Sequence, residues 1–316
     1  MIPPADPTRP ADPPRPMDPP RPADPPRPAH PVDPTRPTRP VEPTRPTHPA
    51  EPTRPTHPAY GVLRPVTPYA SVLLARNPSP MTLDGTNTWL LRALGEPDCV
   101  VVDPGPADRT HLTGVAEAGP VAAILLTHGH PDHSEGARWL HELTGAPVRA
   151  LDPAHRYGGE GLAEGDLVAA AGVQVRVLAT PGHTADSLSF AAGPAGETPQ
   201  GVLTGDTVLG RGSTVVAHPD GRLADYLDSL RRLRDLGARA VLPGHGPELP
   251  DLGAAADAYL AHRSERLDQV RAALAQLGET ATPLDVVRIV YADVDRVLWP
   301  AAELSVRAQL DYLRGR

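Results

Sequence analysis

The chain has 316 residues, a formal net charge of -8, 43 prolines, a single cysteine and no lysine, its basic residues being arginine throughout. The acidic balance argues against a strong electrostatic footprint for nucleic acid, and one cysteine excludes a disulfide framework within the monomer. No early apolar run reads as a secretory signal and no span reads as a membrane helix, so no membrane partner is expected and the cytoplasm is the expected compartment.

Residues 1–59 form a tail of near-repeats such as Ala11-Asp12-Pro13-Pro14-Arg15-Pro16, and more than half of the prolines precede Tyr60. Almost nothing in this tail can be buried, so the entropy of ordering has no offset and a disordered, polyproline II-like segment is expected. Arginine alternates with acidic residues along it, unlike a polybasic arm. A passive extension is the expected role, with docking to a proline-recognising domain as the alternative. His30, His48 and His57 belong to the repeat and are not read as ligands.

Asn77-Pro78-Ser79-Pro80 is a turn cluster, and Asp84-Gly85 is a hairpin-type signal between two short strands. Cys99-Val100-Val101-Val102 reads as a buried strand, with Cys99 as a small core residue, ending at Asp103-Pro104-Gly105. Asp103 is either a turn former or a carboxylate that orients a ligand histidine from behind. A helix is expected over 108–118, followed by an apolar strand over 121–126. That strand runs into Thr127-His128-Gly129-His130-Pro131-Asp132-His133, three imidazoles and a carboxylate within six residues. Those are the donors that borderline divalent metals prefer. Gly129 and Pro131 are expected to hold the stretch in an irregular loop.

A helix over 136–143 and strands over 147–151, 172–179, 187–191 and 201–204 follow. The stripe Leu223, Tyr226, Leu227, Leu230, Leu233 and Leu236 marks a helix, and Ala240-Val241-Leu242 a last strand. The strand exits share one design: an apolar run ends in a Gly- or Pro-containing turn that carries His or Asp. His183 follows Pro181-Gly182, Asp206 follows Gly205, and His245 follows Pro243-Gly244. Repetition makes convergence on one face the economical explanation, because α/β sheets bind ligands at their strand ends. Beyond 250, helices are expected over 254–277, 283–291 and 301–313, the second with Thr282 as N-cap and Pro283 at its first position.

These residues resemble the pattern of the metallo-β-lactamase superfamily over about residues 60–250. The resemblance implies an α/β fold, a four-layer αββα sandwich, with His128, His130 and His183 on one metal. Asp132, His133 and His245 would then hold a second, with Asp206 bridging. The stretches Asn77 to Leu83, Gly85 to Thr88, Gly205 to Gly210 and Pro243 to Pro247 are most similar to the β-lactamase-like endoribonuclease branch. That branch carries a small winged-helix-like C-terminal domain, for which 251–316 is the candidate. A short or missing wing is expected after the third helix, and from Ala254 onward eight Arg face nine Asp or Glu. Packing or homodimerisation is therefore its expected role, ahead of nucleic-acid contact.

The implied cofactor is a pair of divalent ions, zinc first, with iron or manganese also suited to the donor set. Two metals about 3.5–4 Å apart can share a water and lower its pKa from about 15.7 toward about 7, giving a metal-bridged hydroxide at neutral pH. Asp132 is the catalytic candidate, to orient that water or take its proton. Lactamases of the superfamily commonly carry Cys or Ser where Asp206 stands, which points this chain away from lactams and toward the phosphodiesterase and thioesterase branches, and a phosphodiester, single-stranded RNA first, is the expected substrate. A thioester hydrolase of the hydroxyacylglutathione hydrolase type is the alternative, and a non-catalytic metal-binding or nucleic-acid-binding protein the reading from another class. Substrate contacts are expected from Thr86, Asn87, Arg211, Ser213 and Thr214, since Gly-rich backbone, Arg and hydroxyls suit an oxyanion. His111, His141, His155, His218 and His262 are expected to be exposed or one step behind the centre.

Overall fold

Side-chain alternation along the strands sorts the apolar residues into layers. The computed structural model describes residues 57, 59–278 and 280–315, and the expected tail of 1–59 lies almost wholly outside them. The first sheet contains Arg64–Thr67 (β1), Ala70–Leu74 (β2), Asn87–Leu91 (β3), Cys99–Val102 (β4), Val121–Leu125 (β5) and Val148–Arg149 (β6), in that spatial order. The second contains Leu167–Ala170 (β7), Val173–Ala179 (β8), Leu188–Pro194 (β9), Gly201–Gly205 (β10) and Ala240–Pro243 (β11), in the order β11-β10-β9-β8-β7. Pairing is antiparallel except β4–β5, β5–β6 and β10–β11, the pairs whose connections carry helices.

Val100 and Val102 of β4 face the inter-sheet core, where they meet Phe190, Leu203 and Leu242. Cys99 and Val101 point the other way, onto Leu112 and Val115 of α1 (Arg109–Glu117) and Leu140 of α3 (Ala137–Thr144). On the second sheet Leu203 and Leu242 face inward, while Val202 and Val241 pack on α4 (Leu223–Asp235) through Tyr226, Leu230 and Leu233. Helix, sheet, sheet and helix thus follow from a period of two in the strands and 3.6 in the helices. Four layers result.

Helix α5 (Leu252–Leu277) is shared between two cores. Its first half packs Tyr259 and Leu267 with the α4 cluster, and its second half packs Val270 and Ala273 with α6 (Pro283–Val290) and α7 (Trp299–Leu313). Asp251 caps α5 by accepting from Ala254 N, and Gly278 ends it at φ 83°. Thr282 and Asp285 form a capping box at the start of α6, with Pro283 at the first position. Among the described residues no strand follows α7, and no helix is long and apolar enough to cross a membrane.

Two local expectations are corrected. Asp84-Gly85 does not turn a two-residue hairpin: β2 pairs directly with β3 up to Leu74 opposite Asn87, and residues 75–86 are an excursion between them. Gly85 is required there because a Cβ would lie 2.0 Å from the Ala75 carbonyl oxygen, at φ 136°. Strands β1, β2 and β7 carried weak signals in the sequence, β1 because it is an exposed edge strand containing Pro65. Finally, Pro131–Ser134 is one helical turn (α2) rather than an irregular loop. Proline suits its first position, and the His130 carbonyl accepts from both His133 N and Ser134 N.

Candidate metal centre

Four strand exits deliver the donors to one end of the sandwich. His128, His130, Asp132 and His133 come from the β5 exit and α2, His183 from the β8 exit, Asp206 from the β10 exit and His245 from the β11 exit. His130 Nδ1 lies 3.1 Å from His128 Nε2 and 3.0 Å from His183 Nε2. His133 Nε2 lies 3.2 Å from His245 Nε2, and Asp132 Oδ2 is 3.1 Å from that same His245 nitrogen. Asp206 stands between the groups, with Oδ1 3.4 Å from both His133 and His245 Nε2 and Oδ2 3.8 Å from His183 Nε2. The donor atoms of each trio, His128/His130/His183 and Asp132/His133/His245, fall within 4.8 Å of one another.

Hydrogen bonds behind the rings decide which nitrogens are free. His183 Nδ1 donates to the Val215 carbonyl at 2.6 Å, and His245 Nδ1 to the Gly85 carbonyl at 3.1 Å. Asp103 accepts from Thr127 N at 2.8 Å, Thr127 Oγ1 at 2.7 Å and His133 Nδ1 at 2.8 Å. With its proton so committed, Thr127 Oγ1 is left to accept from His128 Nδ1 at 3.0 Å. Each of these four rings therefore carries a proton on Nδ1 and turns Nε2 inward, the nitrogen that an ion would take. Asp103 is both things the sequence left open. Its φ of 52° turns the chain at the end of β4, and its carboxylate orients a ring in each trio.

A cation answers this arrangement better than hydrogen bonds do. His130 Nδ1 can share one proton with His128 or His183, not with both. Two nitrogens each about 2.0–2.1 Å from a tetrahedral ion sit about 3.3 Å apart, close to the spacings here. Asp206 Oδ1 is buried and lacks a hydrogen bond of good geometry, and two carboxylates plus five imidazoles form a donor set that divalent ions favour. The residues fit a dinuclear centre.

Electrostatics agree. Burial drives the His128 and His183 pKa values down and keeps both rings neutral. Burial opposes charge on His133 and His245 too, but Asp132 and Asp206 outweigh it, raising His133 well above the usual range and His245 to about 9. Asp132 is lowered to about 2 against its burial, chiefly by His133 and a hydrogen bond from His245. In the protein alone, both carboxylates are thus held ionised by protonated rings, the charge that metal ions would supply.

Gly244 closes the back of the centre. A Cβ there would lie 2.6 Å from Asp206 Oδ1 and 2.7 Å from His133 Cε1. Gly244→Ala should push one of these groups aside and weaken metal binding about tenfold or more, the size of effect seen when supporting residues are lost. Titration of metal-free protein with the ion would read it; unchanged affinity would mean that the turn yields instead.

The expected substrate residues fare differently. Thr86 is fully buried, its Oγ1 accepting from Asn77 Nδ2, and the Asn87 amide donates to the Pro243 and Gly246 carbonyls. Both side chains are buried and bonded within the fold, holding the β11 exit that carries His245. Arg211 is exposed and paired to Asp84 at 2.7 Å, and Ser213 is exposed beside it. The buried Thr214 hydroxyl donates to the Asp206 carbonyl oxygen at 2.5 Å, tightening the loop that bears the bridging residue. His111 is neither exposed nor behind the metals: it is buried against Thr88, Nε2 to Oγ1 2.8 Å, and burial lowers its pKa to about 4.

Two openings reach the centre. A cavity of about 340 Å³ includes His183 and Asp206 in its lining, with Met81, Leu83, Leu209, Arg211 and Thr214 on the sandwich side. Its other wall is built from α5–α7 and the segment before α7, including Arg263, Arg266, Tyr291, Leu298 and Ala302. This wall is not legible in the sequence, since its residues lie 50 or more positions beyond Asp206. The second opening flanks His130 and is lined by Asp152, His155, Asp186 and Asp220.

With fold and site both in place, the chain belongs to the metallo-β-lactamase superfamily, matching that family over residues 81–245. Residues 282–315 match the beta-lactamase associated winged helix domain. The chain is 32% identical over 254 residues to the beta-lactamase-like protein 2 homolog of Caenorhabditis elegans, covering 76% of this chain and 82% of that one. It is 30% identical over 216 residues to the atrochrysone carboxyl ACP thioesterase of Aspergillus fumigatus, 66% of each chain. A beta-lactamase domain protein from Burkholderia ambifaria superposes with a TM-score of 0.68 at 26% identity, over 82% of this chain and 90% of that one.

Proposed function

We propose that this metallo-β-lactamase-fold protein is a dinuclear, zinc-dependent hydrolase whose substrate is an acyl thioester. The observation that carries the substrate class is the largely apolar cavity running from His183 and Asp206 to the C-terminal helices. Such a lining suits an acyl group. The opening beside His130 is acidic, which opposes a strand of phosphates. That the chain is similar to a protein named as an ACP thioesterase supports the same reading. Zinc is favoured by the imidazole-rich donors.

Bound metal would polarise the carbonyl and acidify water at neutral pH. His128, His130 and His183 would hold one ion, Asp132, His133 and His245 the other, and Asp206 both. Asp132 is the more exposed of the two carboxylates, at 27% against 12%, and is the group solvent water reaches. It orients the attacking water and accepts its proton. Water oxygen bonds to the acyl carbon, the carbon–sulfur bond breaks, and the proton passes from Asp132 to the thiolate, leaving a carboxylic acid and a thiol.

Phosphodiester hydrolysis of single-stranded RNA is the second reading, favoured by Arg211, Arg263 and Arg266 in the cavity lining. One assay separates them. The metal-loaded full chain is given benzoyl-N-acetylcysteamine thioester and single-stranded RNA, with and without chelator. Thioester turnover that chelation abolishes and zinc restores is expected, together with loss in Asp132→Asn. RNA cleavage without thioester turnover would overturn the substrate class and keep the centre.

A further inference from the structure

The cavity wall supplied by the C-terminal helices contains a charge that the fold does not use. Arg263 of α5 is 2% exposed. Its Nη2 donates to the Thr214 carbonyl and its guanidinium lies 5.0 Å from the Tyr226 ring centroid, but its Nε has no hydrogen-bond partner. Among the described residues no carboxylate pairs with it. His262 beside it also has a buried Nδ1 without a partner, and both residues line the cavity. A guanidinium cannot shed its proton, so burying one without a counter-charge is costly. Buried donors without partners are uncommon enough that each calls for a reason.

The surroundings supply one. Around these donors the lining is mostly apolar, with Leu209, Tyr291, Val294, Leu298 and Ala302, and its Arg266 is already spent on the Val290 carbonyl and Gln269. A pocket of about 340 Å³ is at the small end of ligand sites, room for a ring-sized group. The same pocket includes His183 and Asp206, so its occupant is continuous with the reacting bond.

We propose that this cavity is the acyl pocket, and that it selects a ring-sized, apolar acyl group carrying a distal acceptor oxygen, which takes a hydrogen bond from Arg263. The assignment rests on the thioester reading above. It gives the helical module a task other than contact with nucleic acid: that module forms the specificity wall of the site.

The test compares acetyl, benzoyl and 4-hydroxybenzoyl thioesters of N-acetylcysteamine, with metal content measured for every protein. In the native chain kcat/KM should rise from acetyl to benzoyl and again to 4-hydroxybenzoyl. Ala301→Phe, at a half-exposed position of the lining, should lower the benzoyl-to-acetyl ratio about tenfold, within the range set by pocket fit. Arg263→Lys should remove the further preference for 4-hydroxybenzoyl. If the lysine variant fails to fold, Ala301→Phe alone decides. Thioester turnover with both ratios unmoved would overturn the acyl pocket while the thioester reading stands. No thioester turnover by two-metal protein would overturn both. RNA cleavage whose base preference shifts in Ala301→Phe would assign the cavity to a nucleobase and overturn the proposal.

Discussion

Asp206→Ala is expected to reduce metal content from two ions per chain to one or none and to lower turnover on the order of 10³-fold, equivalent to about 4 kcal/mol of barrier. The two oxygens of Asp206 approach both trios, Oδ1 toward His133 and His245 and Oδ2 toward His183. Alanine removes a donor from each ion and the negative charge between them. The fold should persist, because the loop that carries residue 206 is tied by other groups. Tyr226 donates to the Thr207 carbonyl at 2.7 Å, and Tyr259 accepts from Leu209 N at 3.0 Å. Metal analysis on folded protein, beside steady-state rates, reads the result. Two ions retained with unaltered kinetics would remove Asp206 from the centre.

Asp103→Asn is expected to weaken binding at both metal positions by about 10–100-fold, although residue 103 touches no metal. Asparagine tolerates positive φ, so the turn at the end of β4 survives. An amide can still accept from Thr127 N, but its nitrogen cannot accept from His133 Nδ1 or from Thr127 Oγ1. The His133 proton loses its acceptor directly, and His128 loses orientation through Thr127. Each buried donor left unpaired costs about 1–3 kcal/mol, so thermal stability should fall as well. Calorimetric titration of metal-free protein distinguishes the cases. Loss at the His133 position alone would show that the Thr127 relay carries nothing.

The candidate metal donors are legible because each sits at a strand exit in a turn with Gly or Pro, and the turn chemistry and the donor chemistry are both local. The supporting residues divide by the same criterion. Thr127 adjoins His128 in sequence and its role follows from that neighbour. Val215 and Gly85 contribute main-chain carbonyls, which any residue type supplies, so nothing in the sequence marks them. Thr86 and Asn87 read as a polar pair beside a turn; only the pairing of Asn87 N with the Gly244 carbonyl shows that they grip another strand's exit. The cavity wall was invisible for a different reason. It depends on where α5–α7 lie against the sandwich, and apolar periodicity states that a helix is buried without stating on what.

β3 and β11 belong to different sheets, yet the Trp89 indole and the Asn87 amide both donate to the Pro243 carbonyl, at 3.0 Å each. The rings of His128 and His133 reach inward from one sheet, and those of His183 and His245 from the other. Ions seated among them would act as rivets through the sandwich, and the free energy of loading them becomes free energy of keeping the halves in register. Without its ions such a chain would stay assembled by its greasy middle and by the Trp89 and Asn87 bonds to Pro243, but would lose the ties that clamp the two slabs together at the rim.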